Sequence, residues 1–242
     1  MKYASVYSSL NKAGPGVLAL LDPDRVSLDK IGEVTKFVCD NGVKGILVGS
    51  SILISSSFDE HVRAVKENAN CPVILFPGGS HQVSAHADAI FFLSLLSGRN
   101  PEFLIGEQVK AVFVIRECNL EVIPVGYMLI ESGGCTAVEY VSNTKPIPRL
   151  KHDIAVAHAL AGQYFGMKYI YLEAGSGAKE SVPKEMVQRV KENIEIPLIV
   201  GGGLRTYEDI KASFDAGADF VVLGSIIERS KEQFKDIMRR FQ

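Results

Sequence analysis

The sequence predicts one α/β domain over residues 1–242, a (β/α)8 barrel of the TIM type with a shortened third crossover. Three observations carry this. Eight short apolar runs recur along the 242 residues, the segments between most of them have helical spacing, and no shift in composition marks a domain boundary. Apolar runs without polar alternation are what strands covered on both faces look like, as in a parallel sheet. A closed barrel of this kind typically takes roughly 250 residues.

The first run, GVLALLD (16–22), leads to Ser27 as a helix N-cap and to Ile31, Val34, Phe37 and Val38 at helical spacing. GILVG (45–49) follows, then a helix carrying Val62, Val65 and Ala69. After PVILF (72–76) the pattern changes. Only SHQVSAHAD separates PVILFPGG from AIFFLSL (89–95), too little for the dozen or so residues of a helical crossover. One wall of the barrel is therefore expected to be thin. Helical spacing returns at 101–115 before EVIPVGYMLI (121–130), at 152–165 before YIYLE (169–173), and at 183–193 before PLIVG (197–201). It recurs at 206–216 before DFVVLG (219–224) and again at 230–241. Beside the thin wall, Phe91, Phe92, Leu95, Leu96, Phe103 and Ile105 form an apolar strip, read either as core or as a groove that the missing helix leaves open.

Charge is nearly balanced, with 26 Lys+Arg against 28 Asp+Glu and a formal net charge of -2, so bulk electrostatics do not favour nucleic acid or an anionic membrane. Cys39, Cys71, Cys118 and Cys135 show no CxxC pairing, which reads as reduced thiols in a cytoplasmic protein. The start, MKYASVYSSL, has no continuous apolar core of a signal sequence, and no apolar stretch reaches the roughly 18 residues of a spanning helix.

Active sites of such barrels lie at the C-terminal ends of the strands, and phosphate sites often use the loops after the seventh and eighth. Glycines gather at those ends: Gly175, Ser176 and Gly177 after the sixth run, Gly201, Gly202 and Gly203 after the seventh, Gly224 and Ser225 after the eighth. Bare amides there, helped by helix N-termini, suit a phosphate. Glu173, at the end of YIYLE and next to this cradle, repels an anion, so either the carboxylate is structural or the ligand carries a second group that wants a base. On the other side LLDPDR offers Asp22, either a metal ligand or a turn-former, with Asp24 in the following turn, and VGSS offers the Ser50 and Ser51 hydroxyls. Carboxylate, hydroxyl, water and substrate phosphate are ligands that Mg2+ accepts.

Nine ordered segments, among them LLDPDR, GILVGSS, PVILFPGG, ADAIFFLSLLSGRNPEFLIGEQ, TKPIPR, YLEAGSG and LIVGGGLRTYED, resemble the geranylgeranylglyceryl phosphate synthase family, in its branch with the YLEAGSG motif. The resemblance implies a prenyltransferase of ether-lipid biosynthesis that joins sn-glycerol 1-phosphate to geranylgeranyl diphosphate, or another long prenyl diphosphate, and releases pyrophosphate with Mg2+. It implies Asp22 and Ser51 as metal positions. It places Tyr171, Leu172, Glu173, Ala174, Gly175, Ser176, Gly177, Gly202, Gly203, Gly224 and Ser225 at the glycerol phosphate site. Two positions depart from many relatives: Ser50, where they read VGGS, and Tyr140, where they carry a tryptophan associated with assembly beyond a dimer. A homo-oligomer, dimer or hexamer, follows from the resemblance, with at most transient contact with a membrane surface.

In that chemistry Glu173 is the candidate base for the glycerol hydroxyl, and Tyr171, two residues earlier on the same strand face, either positions the acceptor, shields the cation or is a core tyrosine. Lys145, Arg149 and Lys151 in TKPIPRLK are candidates to meet the diphosphate, a solvated surface being the other reading. Rival functions keep the phosphate site but change the chemistry, to an isomerase, lyase or flavin-dependent enzyme, or remove it, leaving a non-catalytic phosphate-binding barrel.

Overall fold

The computed structural model describes residues 5–241. In chain order the elements are α1 (Val6–Lys12), β1 (Gly16–Leu21), α2 (Leu28–Asp40), β2 (Gly45–Val48), α3 (Phe58–Asn68), β3 (Val73–Leu75), β4 (Ala89–Leu95), a π-helical turn (Glu102–Gly106), α4 (Glu107–Glu117) and β5 (Glu121–Leu129). Then come α5 (Ala137–Ser142), α6 (His152–Tyr164), β6 (Tyr169–Glu173), α7 (Lys184–Lys191), β7 (Leu198–Gly201), α8 (Tyr207–Asp215), β8 (Phe220–Leu223), α9 (Ser225–Arg229) and α10 (Lys231–Phe241). The eight strands close into a barrel in sequence order. All eight expected runs are strands. Most of their apolar side chains are buried on both faces, as at Ile46, Leu47 and Val48 in β2 or Tyr169, Ile170, Tyr171 and Leu172 in β6.

The third crossover is indeed short: no helix lies between β3 and β4, and Asp88 stitches the connection by accepting from the Val73 N–H (2.8 Å) and Lys66 Nζ (2.5 and 2.7 Å). Three short helices, α1, α5 and α9, go beyond the seven that spacing predicts. α1 is held from a distance. The Glu121 carboxylate, at the start of β5, accepts from Ser5 Oγ (2.6 Å), the Val6 N–H (2.5 Å) and the Tyr7 N–H (3.0 Å), where an anion also suits the helix dipole.

Two local expectations change. Ser27 precedes α2, but its side chain makes no capping bond; its hydroxyl bonds Asp29 instead and, as the largest cause, lowers that carboxyl's pKa. The helix expected at 101–115 opens as a π turn, two of whose carbonyls accept from side chains: Ser94 Oγ donates to Leu104 O (2.7 Å) and Gln108 Nε2 to Phe103 O (3.4 Å).

Two compact units are discernible. One comprises the described residues up to Phe91, Val109–Ile123 and those from Gly224 onward; the other comprises Phe92–Gln108 and Pro124–Leu223. Among the described residues no helix is long and apolar enough to cross a membrane.

Candidate active site

Within the second unit the site is built on β5 and β6, whose register sets Tyr127 beside Tyr171 and Leu129 beside Glu173. Side chains two apart share a strand face, so Tyr127, Tyr171 and Glu173 converge. The two rings lie 5.2 Å apart and both tyrosines are buried. Glu173 is only 6% exposed. Its Oε1 accepts from the Gly175 N–H at 2.6 Å, and the Tyr171 and Tyr127 hydroxyls also donate to the carboxylate. Burial pushes the Glu173 carboxyl above the ordinary range, and these three donors pull it back. Both tyrosines are pushed well up, by burial first and then by the Glu173 charge, so they remain donors.

The glycines after β7 fit around this group. A β-carbon at Gly201 would overlap the Tyr171 hydroxyl. At Gly202, where φ is +79°, it would overlap Glu173 Oε1 and lie 2.6 Å from the Gly175 nitrogen. Gly202 is thus glycine for both space and backbone conformation. The turns after β6 and β7 touch each other, with Glu173 behind them. Ser176 and Gly177 are exposed, Gly202 and Gly203 half-exposed, while Leu172 and Ala174 are buried and offer only backbone. Tyr127 was not singled out from the sequence; its position two residues before Leu129 in a continuous apolar run gives no polar signal.

The first unit holds the Asp22 group. Asp22 Oδ1 accepts from the Asp24 N–H (2.9 Å) and Oδ2 from Ser50 Oγ (3.3 Å). The departure at position 50 therefore supplies the hydroxyl that bonds Asp22. Asp24 is occupied as a loop anchor, accepting from the Ile54 N–H (2.9 Å) and the Ser55 N–H (2.7 Å). Burial raises the Asp22 pKa, the Asp24 N–H opposing it. Glu228 in α9 is also raised, by burial first, with Arg25 lowering it and Asp22 raising it. A half-buried carboxylate with two donors on roughly four lone-pair sites has room for a cation. Among the described residues no three His, Cys, Asp or Glu side chains group as a metal cage. One carboxylate with hydroxyls fits Mg2+ completed by water and phosphate oxygens, and does not fit a cage-bound transition metal. Ser51, next to Ser50 in the chain, is half-buried; Gly78, in the short third crossover, packs against the Ser50–Ser51 backbone, where a β-carbon would overlap Ser50 O. Gly224 and Ser225 lie at the start of α9, where a β-carbon on Gly224 would make ordinary contact with Leu20 at 3.5 Å.

The basic loop divides. Lys145 is exposed and lines a cleft of about 480 Å³ with Ser97, Gly98, Arg99, Asn100, Pro101 and Asn143. Arg149 is engaged with protein groups: its Nη1 donates to Glu131 O (3.1 Å) and Ser181 O (2.9 Å), and its Nε pairs with the Glu180 carboxylate (3.0 Å). The apolar strip is core at Phe91 and Leu95 and open at Ile105, which is 62% exposed. Tyr140, on α5, is 82% exposed.

Residues 11–241 match the model of the PcrB family. The chain is 50% identical over 212 residues to the geranylgeranylglyceryl phosphate synthase of Thermococcus kodakarensis, covering 87% of this chain and 83% of that one. It is 46% identical over 224 residues to the synthase of the same name from Flavobacterium johnsoniae, covering 92% of each. Its fold matches the crystal structure of (S)-3-O-geranylgeranylglyceryl phosphate synthase from Thermoplasma acidophilum in complex with sn-glycerol 1-phosphate, with a TM-score of 0.92 at 37% identity over 98% of both chains.

Proposed function

The chain belongs to the PcrB family, and from that premise we propose that it is a prenyltransferase joining sn-glycerol 1-phosphate to geranylgeranyl diphosphate through an ether bond. The observation that carries the reading is Glu173: a buried, hydrogen-bonded carboxylate directly behind two glycine turns. A phosphate at the exposed amides of Ser176 and Gly177 and at Gly202 and Gly203 puts the glycerol hydroxyls toward the carboxylate. The reverse orientation sets phosphate against Glu173 and is disfavoured by like charge.

In the reaction a glycerol hydroxyl forms a bond to the first carbon of the prenyl chain as the bond from that carbon to diphosphate breaks. Pyrophosphate leaves with the bonding pair, and the hydroxyl proton passes to Glu173. The raised pKa makes Glu173 a stronger base than an exposed glutamate, and its donors hold it in line. The Tyr171 and Tyr127 hydroxyls hold the buried carboxylate in place. Asp22 and Ser51, with Ser50 alongside, would hold Mg2+, which when bound supplies Lewis-acid charge for the diphosphate. The open end of the apolar strip around Ile105 takes the prenyl chain, where each buried methylene contributes roughly 0.8 kcal/mol. A homo-oligomer and a cytoplasmic setting belong to the same reading, the exposed Tyr140 being its supporting feature for contact between copies.

The test is product formation. Purified protein with Mg2+, labelled sn-glycerol 1-phosphate and prenyl diphosphates of several lengths should move label into an organic extract, most with the twenty-carbon donor. No extractable label with any donor would overturn the reading.

A further inference from the structure

Residues 178–181, which follow the YLEAGSG turn, are held from two sides by arginines. Arg205 donates to Ala178 O (2.5 Å) and Lys179 O (3.3 Å). Arg149 donates to Ser181 O and pairs with Glu180, while its Nη1 also reaches Glu131 O in the loop after β5 and its own N–H donates to Glu131 Oε2 at 3.3 Å. The Glu180 N–H donates to Ser132 O (3.3 Å), closing the link between the loops after β5 and β6. The peptide so fixed is the one that Gly203 presses against. At Gly203, with φ +71°, a β-carbon would lie 2.9 Å from the Glu180 carbonyl and the Ser181 nitrogen. From the other side, the Ala178 N–H donates to Gly175 O at 3.1 Å, so the segment is continuous with the turn that bonds Glu173.

We propose that Arg149 is a positioning residue for the acceptor: by fixing the 180–181 peptide it sets the spacing of the two glycine turns that receive the phosphate of glycerol phosphate. The inference rests on the acceptor reading of those turns. A guanidinium suits the task because its planar fork satisfies two carbonyls and a carboxylate at once, which an ammonium cannot do with the same geometry. The arginine side chain is mostly covered (23% exposed) while Glu180 is 56% exposed, so the two carbonyl bonds, rather than the ion pair, carry the restraint. This differs from a diphosphate contact in a way kinetics can read. A residue that touches the donor changes the donor's KM; one that shapes the acceptor cradle changes the acceptor's.

Steady-state kinetics of Arg149→Ala and Arg149→Lys, with both substrates varied, test the proposal. In Arg149→Ala the KM for glycerol 1-phosphate should rise about tenfold, as for loss of charge-assisted bonds. Both kcat and the KM for the prenyl diphosphate should stay within about twofold, because saturating acceptor draws the turns together. Arg149→Lys should recover part of the acceptor KM. A rise in the donor KM instead, or no change in either, would overturn the proposal. Should the alanine variant fail to fold, the lysine variant and Glu180→Gln decide it: the first must raise the acceptor KM more than the second. Gly203→Ala separates this from the acceptor reading itself. If it raises the acceptor KM while Arg149→Ala does not, only the role of Arg149 falls; if it leaves that KM unchanged, the cradle reading falls.

Discussion

Tyr127 donates a hydrogen bond to Glu173 across the β5–β6 pair, so that a strand residue with no polar neighbour in sequence helps set the charge of the candidate base. The bond favours the ionised carboxylate, against burial, which favours the neutral one.

Removing that donor has a defined sign. The acid limb of the kcat profile should lie above the ordinary carboxylate range, since Glu173 must be ionised to take a proton and burial raises its pKa. Tyr127→Phe takes away a group that lowers this pKa, so the limb should move to higher pH. A pH–rate series on both proteins checks it; an unchanged limb would mean that the hydroxyl does not act on the titrating group.

Glu173 should also cost stability. Its folded pKa lies above its unfolded one, so between the two values the folded state binds more protons and stability falls as pH rises. Above the folded pKa the full cost is present. Glu173→Gln escapes it, and thermal melts at neutral pH should show the variant at least as stable as the parent, with the difference vanishing below the ordinary glutamate pKa. A substantially lower melting temperature would point to a structural role for the charge.

Gly202→Ala should damage both functions of the turn at once. The backbone there has φ +79° and the new methyl would overlap Glu173 Oε1. Binding of glycerol 1-phosphate by calorimetry should weaken at least about tenfold, because the cradle amides and the carboxylate shift together.

Chelation of divalent ions should stop turnover, and added Mg2+ should restore it. Asp22→Asn keeps the Asp24 and Ser50 contacts but loses the charge, so the Mg2+ concentration for half-maximal rate should rise, with glycerol 1-phosphate binding largely kept.

Thiol reactivity provides a check on the first unit. The Cys39 and Cys71 sulfurs lie 3.6 Å apart and Cys71 is pushed up to about 12, by burial first and then by Cys39, whereas Cys135 is exposed. Alkylation at neutral pH followed by peptide mapping should mark Cys135 well before Cys71.

The strands were legible because a parallel barrel needs strands covered on both faces, which leaves uninterrupted runs such as GILV and YIYLE. The short third crossover was legible from length alone. The π turn at Glu102–Gly106 was not, because five residues bonded i→i+5 are too few to shift the apolar spacing of the helix they open. At the site, Glu173 and the glycines stood out as a charge and a conformational requirement in a buried setting. Tyr127 did not, since a buried tyrosine reads as core until the neighbouring strand is in register. Arg149 was visible as a cation, but its partners come from loops 18 and about 30 residues away in sequence, and only the fold brings them to it.

The central claim is that Glu173 takes the proton from a glycerol hydroxyl held by its phosphate at the adjoining turns. Single-turnover rates of Glu173→Gln and the parent, beside calorimetric affinities for glycerol 1-phosphate, test it most directly. The account predicts a rate loss of about 10²- to 10⁴-fold with affinity changed less than about tenfold. A variant that forms the ether product at the parental rate would contradict it.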